Sequence, residues 1–247
     1  MTTVNRQQSY TVITHTDSAL GQLIDRLGMP DPFEFHDGGR TTGSNFAATS
    51  LHILGQQIST KVAFVLYDRL RNATGDTPTA KNILDLGQDS ITALGTSRSK
   101  AAYLINLAKQ VSAGALDIES MDDLTDADAV QSLVTVKGIG IWSVEIFLIH
   151  QLQRPDVFPS GDVGLRNALQ RFRGLPEAPS VSTAHEMGLT WRPLRTYAAA
   201  LLWRTLSPAE GGAENRVTTQ TTPVDPRIVA HQRASASRSG SVATAPD

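Results

Sequence analysis

The sequence predicts an essentially all-α protein, and three observations lead to this prediction. Over most of the chain, apolar residues recur three or four positions apart, which is the spacing of the buried face of a helix. Short segments rich in Gly, Ser, Thr and Asp separate these stretches and supply residues that cap helices. Only the run YTVIT at residues 10–14 is rich in β-branched and aromatic residues, so any β-sheet should be marginal.

The first part of the chain is predicted to form helices around one irregular loop. Residues 18–27 place apolar side chains at positions 20, 23, 24 and 27, whereas the following segment, MPDPFEFHDGGRTTGSN, is too rich in Pro and Gly for regular structure. Helices are expected at 46–54 and 59–70, separated by the turn GQQI at 55–58, with Ser59 as the N-cap of the second. Further helices are expected at 80–86, 91–94 and 97–112, and Gly114 lies just beyond the last one.

The second part continues the same pattern and then changes composition. Helices are predicted at 122–124, 127–134, 141–152, 163–172 and about 193–206, with Thr125 and Asp126 available as caps. From Ser207 the chain is rich in Ser, Thr, Ala, Gly and Pro, and such a segment cannot offset its ordering entropy. We therefore expect a helical domain over residues 1–206 and a disordered tail over residues 207–247.

Composition excludes several classes of protein. The 247 residues include no cysteine, which excludes disulfides, thiolate zinc sites and cysteine-ligated iron–sulfur clusters. The six histidines show no metal-ligand spacing, so no metal site is expected. No run approaches the roughly 18 apolar residues of a membrane span, and the N-terminus lacks the apolar core of a secretion signal. A cytoplasmic protein is expected.

The charge distribution favours a polyanionic partner only in one region. The net charge is −2, so the overall basic signature of a DNA-binding protein is missing. Residues 1–136 carry 10 Lys/Arg and 15 Asp/Glu, whereas residues 137–206 carry 8 and 5. Positive charge is therefore concentrated in the region from Lys137 onward, where a phosphate backbone would need it.

That region contains a glycine hairpin between two helical patterns. Two glycines, Gly138 and Gly140, allow a tight turn and a close approach to a phosphate, whose oxygens would accept bonds from backbone N–H groups at the following helix start. Lys137 would add charge, and Ser143 would cap the helix or contact the same phosphate. An ordinary helix–turn–helix corner explains the hairpin equally well when it is considered alone.

Five ordered motifs resolve this ambiguity. They are ILGQQIS at 53–59, LGTSRSKAAYL at 94–104, VKGIGIWSVEIFL at 136–148, RPDVFPSGDVGLR at 154–166 and WRPLRTYAAALLWR at 191–204. Together they resemble the helix-hairpin-helix DNA glycosylase superfamily, and within it the alkylation-repair 3-methyladenine DNA glycosylases. The resemblance covers about residues 46–206 and implies an all-α, two-lobed fold, with the helix-hairpin-helix at about residues 127–152.

The resemblance assigns catalysis to Asp162. In the superfamily, the aspartate after the hairpin supports cleavage of the N-glycosidic bond, whose transition state resembles an oxocarbenium ion that a carboxylate stabilises. The structural alternative is that Asp162 only caps the helix beginning at Val163. Arg166 and Arg195 would contact phosphate or support Asp162, or hold surface positions, and Asp156 should be structural.

The residue at position 142 determines the expected subtype. Superfamily members that also cleave the DNA strand carry a lysine two residues after the second hairpin glycine, where it forms a Schiff base. Here that residue is Trp142, which implies a monofunctional enzyme. Its indole would stack on a flipped base and attract a cationic alkylated purine. The alternative is that Trp142 only fills the core.

The resemblance also implies residues that contact the DNA and the flipped base. Gln57 would fill the gap left by the extruded base, with Ile58 as its competitor, and the alternative is a polar turn between helices. Trp191 and Tyr197 would line the base pocket. Some relatives have a further aromatic residue where this chain has Leu194, so the aromatic cage is incomplete here.

The implied function is hydrolytic release of alkylated purines, such as 3-methyladenine and 7-methylguanine, from duplex DNA. The protein would be a cytoplasmic monomer, associated with the nucleoid if bacterial. It would require no cofactor, and the hairpin could bind a structural monovalent cation. The alternatives are a non-catalytic lesion-binding protein and a glycosylase for uracil, hypoxanthine or an oxidised purine. Because only about 45 residues precede Phe46, the N-terminal α/β domain of some members is expected to be absent or reduced to a fragment.

Overall fold

The structure, a computed structural model, describes residues 5–34 and 37–206. Within these residues all regular secondary structure is helical, and no strand is present. The helices are α1 (Arg6–Thr16), α2 (Ser18–Leu27), α3 (Asn45–Gly55), α4 (Thr60–Thr74), α5 (Ala80–Leu86), α6 (Gln88–Ala93), α7 (Arg98–Ser112), α8 (Asp126–Val134), α9 (Ile141–His150), α10 (Val163–Arg173), α11 (Val181–Leu189) and α12 (Arg195–Arg204). A 3₁₀ turn at Met121–Asp123 precedes α8. The all-α prediction is confirmed, and the predicted tail at 207–247 lies outside the described residues.

The buried side chains form two separate apolar cores. One core lies among α3–α9 and extends from Phe46 to Val157, and we call this part the hairpin lobe. The other lies among α1, α2 and α10–α12, and we call this part the terminal lobe. Trp203 of α12 packs against both cores. The predicted two-lobed architecture is therefore present.

Polar side chains begin most helices as the sequence indicates. Ser59 accepts a hydrogen bond from Val62 N at the start of α4, and Thr125 accepts one from Asp128 N at the start of α8. Both are predicted caps, and both satisfy backbone donors that have no partner inside the helix. None of the helices in residues 5–34 and 37–206 is long and apolar enough to cross a membrane.

Two helices of the structure were not predicted. The β-like run at residues 10–14 lies inside α1, where Tyr10 and Ile13 are three positions apart and are both buried in the terminal lobe. Burial on one helical face outweighs the β propensity of this run. Helix α11 is missing from the predicted helices because its buried residues, Ala184 and Gly188, are too small to give an apolar pattern. A Cβ at Gly188 would lie 2.6 Å from Phe158, so close packing requires the small residue.

The loop between α9 and α10 crosses from one lobe to the other and is bonded to both lobes. Buried Arg154 donates hydrogen bonds to the carbonyls of Asp122 and Leu124. Thr196 of α12 donates to the carbonyl of Arg154 and accepts from Val157 N. These contacts fix the backbone that leads to Asp162.

Candidate active site at the hairpin and Asp162

The hairpin between α8 and α9 has two glycines with different structural requirements. Gly138 has a φ of +98°, and a Cβ there would lie inside the ring of Tyr103. Gly140 has a φ of −89°, and a Cβ there would meet no atom within 4 Å. The first glycine is therefore required by the protein's own packing, whereas the second leaves space in front of the helix that begins beside it.

The first turn of α9 presents backbone donors to this space. Gly140 is the N-cap and provides no side-chain acceptor for the first N–H groups. The N-terminus of a helix carries a partial positive charge, and uncapped N–H groups bind anions. Lys137 at the turn is exposed and adds a full charge. The arrangement suits a phosphate of a nucleic-acid backbone.

Asp162 lies at the N-cap of α10 and accepts three hydrogen bonds. Its Oδ1 accepts from Leu165 N at 2.6 Å and from the indole Nε1 of Trp203 at 3.1 Å. Its Oδ2 accepts from the indole Nε1 of Trp142 at 2.9 Å. The carboxylate therefore caps the helix and is also held by two indoles. Gly164 has no side chain to crowd it, since a Cβ there would lie 3.1 Å from Oδ1.

Trp142 and Trp203 thus meet at the carboxylate from different helices, α9 and α12. Both rings are only partly buried. Trp142 is not simply core filler, because its N–H edge is directed at Asp162; stacking on a flipped base stays a prediction. The sequence reasoning missed Trp203. It stands inside the last of the five motifs, but only the fold brings α12 beside the start of α10.

Glu145 is a second acidic residue near this site that the sequence reasoning missed. It follows Trp142 by three positions and so lies on the same side of α9. Burial raises the pKa of Glu145 to about 7; Arg195 acts to lower it and Asp162 to raise it further. Its Oε2 is buried without a hydrogen-bond partner among the described residues. The guanidinium of Arg195 is instead bonded to Asp156, with Nε 2.7 Å from Oδ1.

The turn at residues 55–58 is tied to the hairpin. Gln56 donates from Nε2 to the carbonyl of Gly138 at 2.8 Å and to Ser143 Oγ at 3.1 Å. Gln57 is exposed at the tip with a φ of +58°, and Ile58 beside it is 37% exposed. Gln57 and Ile58 are therefore accessible side chains carried close to the hairpin, as insertion into DNA would require.

The position of Ser143 corrects its predicted role as a cap. Its side chain is buried and accepts the hydrogen bond from Gln56, and α9 has no side-chain cap. Ser143 therefore holds the turn to the hairpin, and its contact with a phosphate stays a prediction.

Trp191 and Tyr197 are also corrected by the structure. Trp191 is 1% exposed, packs on Phe158 at 5.5 Å between ring centroids, and donates its N–H to Asp17 at 3.0 Å. Tyr197 is 2% exposed and meets the ring of Tyr10 edge-to-face at 5.2 Å. Both rings belong to the core of the terminal lobe, so neither offers a face to a flipped base.

Arg166 likewise serves the protein's own structure. Its Nη1 donates to the carbonyl of Pro179 at 3.1 Å and so ties α10 to the segment before α11. Its predicted contact with DNA phosphate has no support in this arrangement. In residues 5–34 and 37–206, no three His, Asp or Glu side chains come together as metal ligands.

The chain is similar to known proteins in sequence and in structure. Residues 51–193 match the family described as HhH-GPD superfamily base excision DNA repair protein. The chain is 30% identical over 161 residues to DNA-3-methyladenine glycosylase 1 of Schizosaccharomyces pombe, covering 64% of this chain and 71% of that protein. It is also 30% identical over 161 residues to the Bacillus subtilis protein named as a putative DNA-3-methyladenine glycosylase, YfjP, covering 62% of this chain.

The chain spans 56% of the length of that Bacillus subtilis protein. Among solved structures, it superposes with a TM-score of 0.73 on the 3-methyladenine DNA glycosylase Mag1 of Schizosaccharomyces pombe in complex with abasic DNA. That match has 25% identity and covers 83% of this chain and all of the other.

Proposed function

Because the chain belongs to the HhH-GPD superfamily of base excision DNA repair proteins, we propose that it is a monofunctional DNA glycosylase that hydrolyses the N-glycosidic bond of alkylated purines in duplex DNA. The substrates would include 3-methyladenine and 7-methylguanine, the first of which appears in the names of the relatives. The observation that carries the proposal is the Asp162 carboxylate, held by two indoles at the start of α10.

Asp162 would act on the sugar. As the bond between C1′ and the purine nitrogen breaks, its electron pair leaves with the base, and positive charge develops on the sugar ring. A fixed carboxylate beside C1′ stabilises that charge. Water then adds to C1′ and loses a proton to solvent, which leaves an abasic site. Cationic alkylated purines are good leaving groups, so this assistance suffices for their release.

The hairpin would hold the DNA backbone while the base is extruded. Gly140 leaves the N–H groups of α9 uncovered, and Lys137 supplies a charge beside them. Gln57, exposed at the tip of its turn, would enter the duplex and fill the vacated position, with Ile58 beside it. A monovalent cation at the hairpin carbonyls stays a prediction.

Trp142 supports the monofunctional subtype and the choice of substrate. The Schiff-base chemistry of strand-cleaving members requires a primary amine at this position, and an indole cannot supply one. The partly exposed ring beside Asp162 would instead stack on the base, and an aromatic face attracts a cation. Selectivity for alkylated purines follows from that attraction and from the ease of flipping weakened pairs.

The experiment is to incubate the protein with methylated duplex DNA and to measure released bases by chromatography, with Asp162→Asn as the test variant. We expect a rate loss of about 100-fold or more, the usual effect of removing a group that stabilises transition-state charge. Asp17→Asn is the matched control. Asp17 also caps a helix and accepts an indole N–H, from Trp191, but it contacts Arg173, at the opposite end of α10 from Asp162.

Each outcome bears on a separate part of the proposal. Undiminished release by Asp162→Asn would contradict its catalytic assignment. If the wild-type protein binds methylated duplex but releases no base, it is a lesion-binding protein. Release of uracil, hypoxanthine or an oxidised purine in preference to alkylated bases would overturn the substrate assignment. A nick that appears without alkaline treatment would contradict the monofunctional assignment.

A further inference from the structure

We infer that Trp203 is a positioning residue for base excision, whose indole N–H fixes the carboxylate of Asp162 in the orientation that faces the sugar. The inference rests on the proposed function, in which Asp162 stabilises the developing charge. It adds a residue outside the hairpin and the α9–α10 loop, carried by the last described helix, α12.

The hydrogen bonds at Asp162 show why a second indole matters. As an N-cap alone, the carboxylate would be held through Oδ1 only, by Leu165 N. Rotation about the bond to the carboxyl carbon would then move Oδ2 freely. Trp203 adds a second donor to Oδ1 at 3.1 Å, and Trp142 bonds Oδ2 at 2.9 Å. Trp142 thereby stops the rotation, and the second donor to Oδ1, which comes from a third helix, restricts the tilt of the carboxylate that the other two bonds allow.

The two indoles also suit the charge state of the carboxylate. An indole N–H donates a hydrogen bond and cannot accept one. Neither Trp142 nor Trp203 can therefore take a proton from the site or bring a negative charge beside the carboxylate. Donors that are already in place when charge develops need no reorganisation during the reaction. Trp142 uses one lone pair of Oδ2, and the other lone pair stays available to face the sugar.

The packing of Trp203 links this orientation to the arrangement of the two lobes. Its ring contacts the apolar cores of both the hairpin lobe and the terminal lobe. Its helix begins at the Thr196 contacts that hold the loop leading to Asp162. A shift of α12 relative to α9 would separate the two indoles and leave Oδ1 with Leu165 N as its one donor. The packing of the two lobes therefore contributes to the orientation of the carboxylate.

The role predicts a specific kinetic defect. Trp203→Phe keeps an aromatic ring between the cores and removes only the N–H donor. We expect the maximal single-turnover rate of excision to fall about 10- to 100-fold, the usual cost of misplacing a catalytic group. The Kd for duplex containing an abasic-site analogue should stay within about twofold, because Trp203 lies outside the hairpin contacts that hold the backbone.

A matched control separates this defect from a loss of stability. Tyr10→Phe removes another partly buried hydrogen bond of the terminal lobe, from the Tyr10 hydroxyl to the carbonyl of Pro30 at 2.9 Å. This variant should melt at a lower temperature than the wild type and excise at the wild-type rate. An equal rate loss in Tyr10→Phe would show that the Trp203→Phe defect reports folding only.

A double variant tests whether Trp203 acts through Asp162. Added to Asp162→Asn, the change Trp203→Phe should cause no further rate loss, since the group that it positions is already altered. A further loss of the same size would overturn the inference. If Asp162→Asn abolishes release while Trp203→Phe alone excises at the wild-type rate, only the positioning role fails. If the wild-type protein releases no base, the proposed function itself fails.

A spectroscopic test does not depend on the stability of Trp203→Phe. The chain has three tryptophans, so protein labelled with ¹⁵N in its tryptophans gives three indole N–H signals. Trp→Phe variants at 142 and 191 assign two signals, and the third follows. In Asp162→Asn the signals of Trp142 and Trp203 should move and that of Trp191 should stay. An unmoved Trp203 signal would overturn the inference.

Discussion

Glu145→Gln should stabilise the protein at neutral pH and have little effect in acid. Burial raises the pKa of the Glu145 carboxyl from its usual 4.5 to about 7. At about 1.36 kcal/mol per pKa unit, the difference between these two pKa values corresponds to about 3 kcal/mol of folding free energy. An amide has the size of a carboxyl and carries no charge, so the variant removes this cost without leaving a cavity.

The sign follows from proton binding. Between pH 4.5 and about 7 the folded protein holds a proton on Glu145 that the unfolded chain has released. Protonation therefore favours the folded state, and stability falls as pH rises through this window. Below pH 4.5 both states are protonated, and the variant should match the wild type. Above pH 7 the full difference of about 3 kcal/mol should be present.

The assay is urea unfolding at pH 5, 6, 7 and 8, followed by circular dichroism at 222 nm. The midpoint of Glu145→Gln should rise relative to the wild type across this series. Glu186→Gln, the same change at an exposed position on α11, is the control and should follow the wild type at every pH. A difference between Glu145→Gln and the wild type that stays constant from pH 5 to pH 8 would refute the reasoning.

Three further predictions concern the hairpin and the terminal lobe. Gly138→Ala should lower the free energy of unfolding, measured with urea, by more than about 2 kcal/mol, because the residue has a positive φ and the added methyl group would clash with Tyr103. In Gly140→Ala the added methyl group meets no atom of the protein, so the stability should not change. The variant should bind abasic duplex several-fold more weakly than the wild type. An affinity equal to that of the wild type would contradict phosphate binding at this position. Trp191→Phe should lower the free energy of unfolding by about 1 to 2 kcal/mol, because its hydrogen bond to Asp17 is lost. Its excision rate per folded molecule should equal that of the wild type. A loss of rate without a loss of stability would show that Trp191 does line the base pocket.

Most helices could be predicted from the sequence because their signals are local. Ser59 and Thr125 cap the helices that they are expected to begin, and apolar spacing places the bounds of most others within a few residues. The failures occur where local signals are weak or misleading. Residues 10–14 have β propensity but are helical, and α11 is too rich in small residues to show a pattern.

The site could be predicted only in part for the same reason. Gly138, Gly140, Trp142 and Asp162 lie close together in sequence, and the resemblance to the superfamily singles them out; their roles stay predictions. Motif position predicts that Trp191 and Tyr197 line the base pocket. Only the packing shows that both rings are enclosed in the terminal lobe. Motif position does not specify which side of a helix faces the core.

The sequence by itself determined the all-α class, the glycine hairpin and the acidic residue Asp162 at the start of a later helix. These features depend on residue type and spacing along the chain. Only the tertiary structure decided what surrounds that acid: Trp142 from α9 and Trp203 from α12 donate to its two oxygens, and Glu145 is buried nearby. Positions 142 and 203 are far apart in sequence, and they meet at Asp162 because the two apolar cores pack α9 and α12 around the start of α10.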